Sequence, residues 1–332
     1  MDSSNAELVA VQEDDPGTTM LERFRDLLGD ESVEEVWLNS PDRIFAARNG
    51  RSFVTGIVLT CREIERFVAG LLLPSGRRLD ALSPFVDASL PDGSRLHVVA
   101  SGVAGAHLAV NIRKFPVTSW TLSDLVNKGA CSPEEAAWLR QAIQGGHSIL
   151  FSGATHTGKT TFLRACVSEL PPLARVVVCE EVSELRPARL DSVCMQTRTT
   201  SLEGHGEISL RELVVQALRM RPDLLVVGEV RQAEAFDLLL ALNCGIPGMG
   251  TIHADNATAA LRKLATLALL AGSNVTPDFV VPTVASCVNV VVQLRRDPEG
   301  VRGIESISTV SLREGELTAI PVDLQSAHRA AA

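Results

Sequence analysis

The sequence has no excess of basic residues: its 332 residues include 31 Lys and Arg against 40 Asp and Glu, a formal net charge of −9. Proteins whose main task is to coat nucleic acid or an anionic membrane usually carry a basic excess. We therefore expect no stable binding of nucleic acid. With 45% hydrophobic and 21% charged residues, a chain of this length is typical of a globular protein of two domains.

Long hydrophobic runs are also missing. The most apolar segments, residues 264–271 and 279–294, are short or are interrupted by polar residues and Pro282, and neither reaches the roughly 20 residues that span a bilayer. The amino terminus reads MDSSNAE and lacks the basic and apolar segments of a secretory signal. We therefore expect a cytoplasmic protein whose contact with a membrane is indirect, through partners.

The seven cysteines form no C-x-x-C pair, and the cysteines and histidines never cluster at the spacing of metal ligands. Several cysteines lie within apolar runs, which predicts buried and reduced thiols in the cytosol. The sequence therefore indicates neither a disulfide framework nor a bound transition metal.

The composition and pattern change along the chain. Residues 1–19 are acidic and rich in small polar residues, so we predict a disordered leader. Residues 20–113 alternate short strand-like runs with helices, one of which begins at a capping box at Thr60, and they predict a small α+β domain. A linker is predicted at residues 114–121, ahead of a second domain over residues 122–332.

The second domain alternates strand-like and helix-like segments. Its strand candidates are apolar runs at residues 149–152, 176–179, 224–227, 250–253 and 288–294. Helical patterns lie between most of these runs. Alternation of this kind predicts an α/β domain, in which helices cover a largely parallel sheet.

A glycine-rich segment follows the first of these strands. Residues 153–160 read GATHTGKT and fit the pattern G-x-x-x-x-G-K-[ST], between the strand at 149–152 and a helix-like run at 161–167. In such a loop the backbone N–H groups surround phosphate oxygens, Lys159 reaches the β and γ phosphates, and the Thr160 hydroxyl ligates Mg²⁺. The positive end of the following helix would face the phosphates. The alternative is a glycine loop that merely turns the chain.

The segment therefore predicts a site for ATP and Mg²⁺. The residues predicted to bind the nucleotide are Gly153, Ala154, Thr155, His156, Thr157, Gly158, Lys159, Thr160 and Thr161. His156 stands at a variable position of the pattern, so we assign no role to its side chain. The predicted ligands of Mg²⁺ are Thr160 and Glu229, the latter at the end of another strand candidate.

Two further strands end in carboxylates, at the edge where open α/β sheets bind ligands. Glu229 follows the run at 224–227 and is expected to hold Mg²⁺ through water or to orient the attacking water. Glu180 and Glu181 follow the run at 176–179, and one of them could act as general base. Because adjacent strand residues point to opposite faces, only one should face the nucleotide. A solvated acidic loop is the alternative.

Three other polar residues are candidates at the site. His253 ends the run at 250–253, where it is either a sensor of the γ-phosphate or a structural histidine satisfied by a backbone hydrogen bond. Arg113 lies on the polar face of a strand near the linker, and Arg95 follows a turn in the first domain. Fixed guanidinium groups could neutralise phosphate charge as an arginine finger does, and otherwise they are surface charges.

These motifs together resemble those of the secretion ATPases of type II and type IV secretion and pilus systems. The segments that look like the Walker A motif, acidic box, Walker B motif and histidine box are residues 153–160, 178–185, 219–231 and 250–254. The segments that look like the CpaF-like branch, which powers Tad (Flp) pilus assembly, are residues 40–44, 76–80, 83–84, 90–95 and 112–115. The resemblance covers about residues 33 to 312.

The resemblance implies a smaller N-terminal α+β domain and a C-terminal RecA-like P-loop ATPase domain. It implies a cytoplasmic homohexamer that turns ATP hydrolysis into motion of an inner-membrane platform protein. By position, Glu181 matches the proposed general base, Glu229 the Walker B carboxylate and His253 the histidine-box residue. Arg95 and Arg113 match arginines of the first domain that approach the phosphates.

Two residues depart from the family pattern, and two other functions stay open. His156 stands where the family usually has glycine, and Glu181 where this branch usually has aspartate. A conjugative or type IV secretion ATPase would share the same catalytic motifs, so sequence separates it poorly from a pilus motor. A nucleotide-gated scaffold with negligible turnover is the third reading. The presence of both Glu181 and Glu229 argues against it.

Overall fold

The structure is a computed structural model that describes residues 19–48, 50–73, 77–81, 83–114, 120–198 and 206–324. The chain divides into two compact units, Met1–Val117 and Thr118–Ala332. Residues 1–18 of the predicted leader and residues 115–119 of the predicted linker lie outside the described residues. The predicted domain boundaries therefore stay a prediction.

The first unit contains a six-stranded antiparallel sheet. Its elements are α1 (Met20–Gly29), β1 (Val33–Ser40), β2 (Arg43–Arg48), β3 (Arg51–Val54), α2 (Cys61–Leu72), β4 (Phe85–Ser89), β5 (Arg95–Val99) and β6 (Ala109–Arg113). The strand order is β3-β2-β1-β6-β5-β4, and all neighbours are antiparallel. Alternate residues such as Val36, Leu96 and Ile112 are buried in one core with Phe24 of α1 and Val68 of α2.

Both helices of this unit begin at side-chain caps. The Thr60 side chain accepts the N–H of Glu63, whose carboxylate accepts the N–H of Thr60 in return, so the predicted capping box is confirmed. Thr19 and Glu22 form the same box ahead of α1. Each box satisfies two backbone groups that the first turn of a helix leaves unbonded.

The second unit contains an eight-stranded sheet. Its helices are α3 (Leu122–Asn127), α4 (Pro133–Gln144), α5 (Lys159–Ser168), α6 (Leu210–Ala217), α7 (Glu234–Asn243), α8 (Ala257–Leu269) and α9 (Pro277–Cys287). Its strands are β7 (Ile149–Ser152), β8 (Val176–Glu180), β9 (Ser192–Gln196), β10 (Leu224–Val227), β11 (Gly248–Ile252), β12 (Val290–Arg296), β13 (Arg302–Arg313) and β14 (Glu316–Pro321). The candidates at 250–253 and 288–294 are thus each displaced by one or two residues from the strands that form.

Six of these strands are parallel. The order is β14-β13-β12-β7-β11-β10-β8-β9, with β12 to β9 parallel and β13 and β14 added antiparallel at one edge. Ser152 pairs with Ile252, and Val227 with Cys179. Because these strands run in one direction, the residues that follow β7, β8, β10 and β11 meet at one edge of the sheet.

Hydrophobic cores lie on both faces of this sheet. One core joins Phe151 to Phe162 and Leu163 of α5. The other joins Leu150 to Val214 of α6 and to the helices that follow. Successive residues of β7 therefore point into different cores, as the alternation of side chains along a strand requires. A strand buried on both faces is apolar throughout, which is why β7, β8 and β10 read as continuous apolar runs.

The cysteine prediction is partly wrong. All seven cysteines are free thiols, but Cys61, Cys194 and Cys244 are exposed. Cys131, Cys166, Cys179 and Cys287 are buried, and burial raises the pKa of the Cys131 thiol to about 11. Among the helices that the structure describes, none is long and apolar enough to cross a membrane.

Candidate nucleotide site

The loop between β7 and α5 has a backbone that only glycine adopts easily at two points. Gly153 has a φ of 150° and Gly158 a φ of 94°. A Cβ atom at Gly153 would lie 2.6 Å from the carbonyl oxygen of Leu294 and 2.8 Å from Thr157 Oγ1. No side chain fits there, because real Cβ atoms do not approach backbone atoms so closely. The two glycines of the pattern are therefore required by the shape of the loop.

The first turn of α5 is arranged to receive an anion. Five helices begin at a serine or threonine capping box, with N-caps at Thr19, Thr60, Thr121, Ser132 and Ser209. The N-cap of α5 is Gly158, which makes no side-chain capping bond. The N–H groups of that turn have no intrahelical acceptor, and phosphate oxygens are the acceptors that such a turn binds. The loop and its donors thus fit a phosphate group.

Lys159 lies on this loop. Its side chain is buried, with 7% of the residue exposed, and Nζ donates to the carbonyl oxygens of Gly153 at 3.0 Å and Ala154 at 2.8 Å. Nζ also lies 3.2 Å from Nδ1 of His253. The ammonium group is therefore held beside the same backbone that would surround a phosphate.

His253 connects Lys159 to Glu229. Its Nε2 lies 3.0 Å from Glu229 Oε1. An ammonium group has no acceptor, so Nδ1 must accept from Lys159, and Nε2 must carry the proton that it donates to Glu229. Burial, and then the charge of Lys159, lower the pKa of His253 and keep this ring neutral. Both ring nitrogens thus bind side chains at the site, unlike a histidine satisfied by one backbone bond.

Glu229 is ionised at this edge of the sheet. Burial raises its pKa, but the hydrogen bond and charge of Arg231, with His253 and Lys159, have the larger combined effect and lower it. Carboxylate and hydroxyl oxygens are the ligands that Mg²⁺ prefers in proteins. Glu229 and Thr160, the second residue of α5, therefore fit the predicted role of holding Mg²⁺.

The two carboxylates after β8 have different surroundings. Glu180 is 3% exposed, and its oxygens accept the N–H groups of Glu184 and Leu185 at 3.2 to 3.3 Å. Burial raises the pKa of Glu180 to about 8. The side chain of Glu181 is 46% exposed, and its Oε2 lies 2.9 Å from Arg231 Nη1. Glu180 thus holds the loop that follows, while Glu181 faces the polar edge of the sheet.

Sequence reasoning quoted Arg231 with the Walker B segment but gave it no role. Its Nη2 lies 2.7 Å from Glu229 Oε2, so it contacts the carboxylates that follow both β8 and β10. The signal that could have found it is its spacing: residues two apart in an extended segment share a face, so Arg231 faces the same way as Glu229.

His156 has a left-handed backbone within the loop. Its φ is 62°, a conformation that costs a residue with a Cβ atom about 1 kcal/mol relative to glycine. This conformation gives a physical reason for glycine at the corresponding position of related loops. The side chain of His156 is exposed.

The two candidate arginines of the first unit lie side by side. Arg95 of β5 is the register partner of Arg113 of β6, so their side chains share a face of the sheet. Arg95 Nη2 lies 3.3 Å from Asp87 Oδ1, which also lies 3.0 Å from Nδ1 of His97. The structure thus brings Arg95 and Arg113 together within that unit, and their approach to a nucleotide stays a prediction.

Comparison with known proteins identifies the relatives of this chain. The family described as type II/IV secretion system protein matches residues 19–310. A Mycobacterium tuberculosis (strain H37Rv) protein, named provisionally for conjugal transfer, is 33% identical over 305 residues, which cover 89% of this chain and 86% of that protein. The type IV secretion system protein PtlH of Bordetella pertussis is 31% identical over 268 residues, which cover 74% of this chain and 79% of PtlH.

Solved structures share the fold. The pilus retraction motor PilT with bound ADP has a TM-score of 0.63 at 15% identity, over 95% of this chain and 87% of PilT. The ATPase DotB of Legionella pneumophila has a TM-score of 0.62 at 20% identity, over 91% of this chain and 84% of DotB. The predicted fold, an N-terminal α+β domain and a RecA-like C-terminal domain, is confirmed. The chain belongs to the type II/IV secretion system protein family, that of the secretion ATPases.

Proposed function

We propose that this chain is a motor ATPase that hydrolyses ATP to power assembly of a Tad (Flp) type pilus. The observation that carries the proposal is the contact of His253 with both Lys159 and Glu229. It joins the phosphate-binding loop to the carboxylate after β10 at one edge of the sheet. A loop that merely turns the chain has no need of a buried lysine and an ionised carboxylate beside it.

In the proposed reaction each residue has one task. Lys159 and the N–H groups of the loop bind the phosphates, and Thr160 and Glu229 hold Mg²⁺. When bound, the metal ion neutralises charge on the phosphate oxygens. Glu181 takes the proton of the attacking water, as a carboxylate within hydrogen-bond reach of it can do.

Three further residues complete the proposed site. His253, held between Lys159 and Glu229, senses the γ-phosphate. Arg95 and Arg113, which are register partners, neutralise phosphate charge as fixed guanidinium groups.

The proposed working form is a homohexamer in the cytoplasm, at the inner face of the cytoplasmic membrane. Its partners would be platform proteins of that membrane, which the motor moves by rotation of its domains. The net charge of −9 supports a motor without stable nucleic-acid contacts. The segments of the first domain that resemble the CpaF-like branch support the Tad assignment over other members of the family.

A conjugative or type IV secretion ATPase is the second candidate, because the relatives that support it are specific. Proteins named for conjugal transfer and type IV secretion are 28 to 33% identical to this chain. The genes beside that of this chain distinguish the two: pilin and prepilin peptidase genes favour the pilus, and relaxase or coupling-protein genes favour DNA transfer. Deletion of the gene gives the direct answer, since it abolishes surface pili in one case and DNA transfer in the other.

The experiment that tests the enzymatic proposal is steady-state ATP hydrolysis with oligomer mass measured by light scattering in the same samples. We expect Mg²⁺-dependent turnover that rises with the hexamer and disappears in Glu229→Gln. Tight ATP binding without turnover in the wild-type hexamer would instead support the third reading, a nucleotide-gated scaffold.

A further inference from the structure

Arg231 joins the ends of two neighbouring strands. Its Nη1 lies 2.9 Å from Glu181 Oε2, after β8, and its Nη2 lies 2.7 Å from Glu229 Oε2, after β10. These strands are parallel neighbours, with Cys179 paired to Val227, so residues that follow them emerge side by side. One guanidinium group therefore binds both carboxylates.

The backbone of Arg231 is itself held in place. Its N–H and that of Gln232 donate to Glu234 Oε1, at 2.5 and 2.7 Å. Glu234 is only 5% exposed and lies in the first turn of α7, so this acceptor is anchored to a packed helix. The arginine thus reaches the two carboxylates from a fixed point of the fold.

Glu181 depends on this contact more than Glu229 does. The side chain of Glu181 is 46% exposed, so packing does not fix its rotamer, whereas Glu229 is 23% exposed and is also bound by His253. An ion pair as exposed as that of Glu181 adds little to stability, because water screens it. A general base, however, must lie within hydrogen-bond reach of the water that it activates. What the arginine contributes is position.

We propose that Arg231 is a positioning residue that holds Glu181 beside Glu229 for activation of the attacking water. The inference rests on the ATPase function proposed above. The planar fork of a guanidinium binds two carboxylates at a fixed spacing, whereas the single ammonium group of lysine cannot. Arg231→Lys therefore keeps the charge and loses the geometry, which separates the two contributions.

The test uses the full chain with Arg231→Gln, Arg231→Lys, Glu181→Gln and the double variant Arg231→Gln with Glu181→Gln. The measurements are kcat and KM for ATP, the affinity for a fluorescent ADP analogue and the thermal midpoint of unfolding. The matched control is Arg262→Gln, which removes an arginine whose Nη2 lies 3.1 Å from Glu316 in another exposed ion pair.

We expect Arg231→Gln to lower kcat by at least about tenfold, while the affinity for the ADP analogue and the thermal midpoint stay close to wild type. Arg231→Lys restores little of this loss, and Arg262→Gln has no effect. Because Arg231 acts through Glu181, the double variant should be no slower than Glu181→Gln alone.

Four results would overturn the inference. They are a wild-type kcat in Arg231→Gln, full rescue by lysine, losses that multiply in the double variant, or a parallel fall in nucleotide affinity and thermal midpoint. A wild-type chain that binds the ADP analogue but hydrolyses no ATP is a different outcome, because it overturns the proposed function and removes this inference with it.

Discussion

Nδ1 of His253 lies 3.2 Å from Nζ of Lys159, and the geometry requires the imidazole to accept from the ammonium group. The proton of the ring is therefore on Nε2, where it binds Glu229. One neutral ring thus connects the lysine of the phosphate-binding loop to the carboxylate after β10. A ligand that draws Lys159 away from His253 changes the hydrogen bonding of Glu229 through a single side chain.

Replacement of Lys159 or Glu229 tests the nucleotide site. We expect Lys159→Ala and Glu229→Gln each to lower kcat/KM for ATP by about 100-fold or more, because each removes a charge that acts on the phosphates. Circular dichroism should show an intact fold in both. Lys128→Ala is the control, since that lysine lies over the ring of Trp120 at the end of α3. Wild-type turnover in either site variant would contradict the assignment.

Gly153 tests the shape of the loop. In Gly153→Ala the new methyl group would meet the carbonyl oxygen of Leu294 at 2.6 Å, so we expect a loss of more than about 2 kcal/mol in the free energy of unfolding. Gly129→Ala is the matched control, because Gly129 has a φ of 70° but open space around its Cβ position. Its cost should be about 1 kcal/mol, that of the left-handed backbone alone. Equal losses in urea unfolding would mean that the contact with Leu294 is not tight.

Glu180 predicts a pH dependence of stability. Its pKa is raised to about 8 by burial in the folded chain, from an ordinary value of 4.5, so between these pH values the folded state binds a proton that the unfolded state releases. Stability is therefore greatest at the acid end of this window and falls as the pH rises towards 8, by up to about 1 kcal/mol per pH unit.

Urea unfolding across that window checks this prediction. Glu180→Gln should remove this contribution, because the amide is neutral throughout and its oxygen can still accept the N–H groups of Glu184 and Leu185. Glu181→Gln is the adjacent control and should keep the wild-type pH dependence. The prediction fails if wild type and Glu180→Gln lose stability in parallel as the pH rises.

Arg95 and Arg113 test the contribution of the first unit. We expect Arg113→Ala and Arg95→Ala each to lower ATPase activity by about tenfold or more without loss of folding, because each removes a cation proposed to act on phosphate. Arg51→Ala, in β3 of the same sheet, is the control, since Arg51 is an exposed strand arginine outside the family motifs. Unchanged kinetics in the Arg113 and Arg95 variants would return both to the class of surface charges.

The sequence alone determined the fold class and the location of the phosphate-binding loop. Parallel strands buried on both faces read as apolar runs, and the loop after β7 needs glycine at Gly153 and Gly158 for steric reasons that hold in any such loop. Thr60 and Glu63 likewise formed the capping box that their spacing predicts. These features depend on neighbours in the chain, so local patterns were enough to predict them.

Only the tertiary structure decided which polar groups meet. Glu181 and Arg231 are 50 residues apart, and Lys159 and His253 are 94 apart. Their contacts follow from the order of strands in the sheet, which no local pattern contains. The structure also separated Glu180 from Glu181, because one side chain turns into the protein and the other towards Arg231. The two face opposite sides of the strand, and the packing around β8 decides which side is buried.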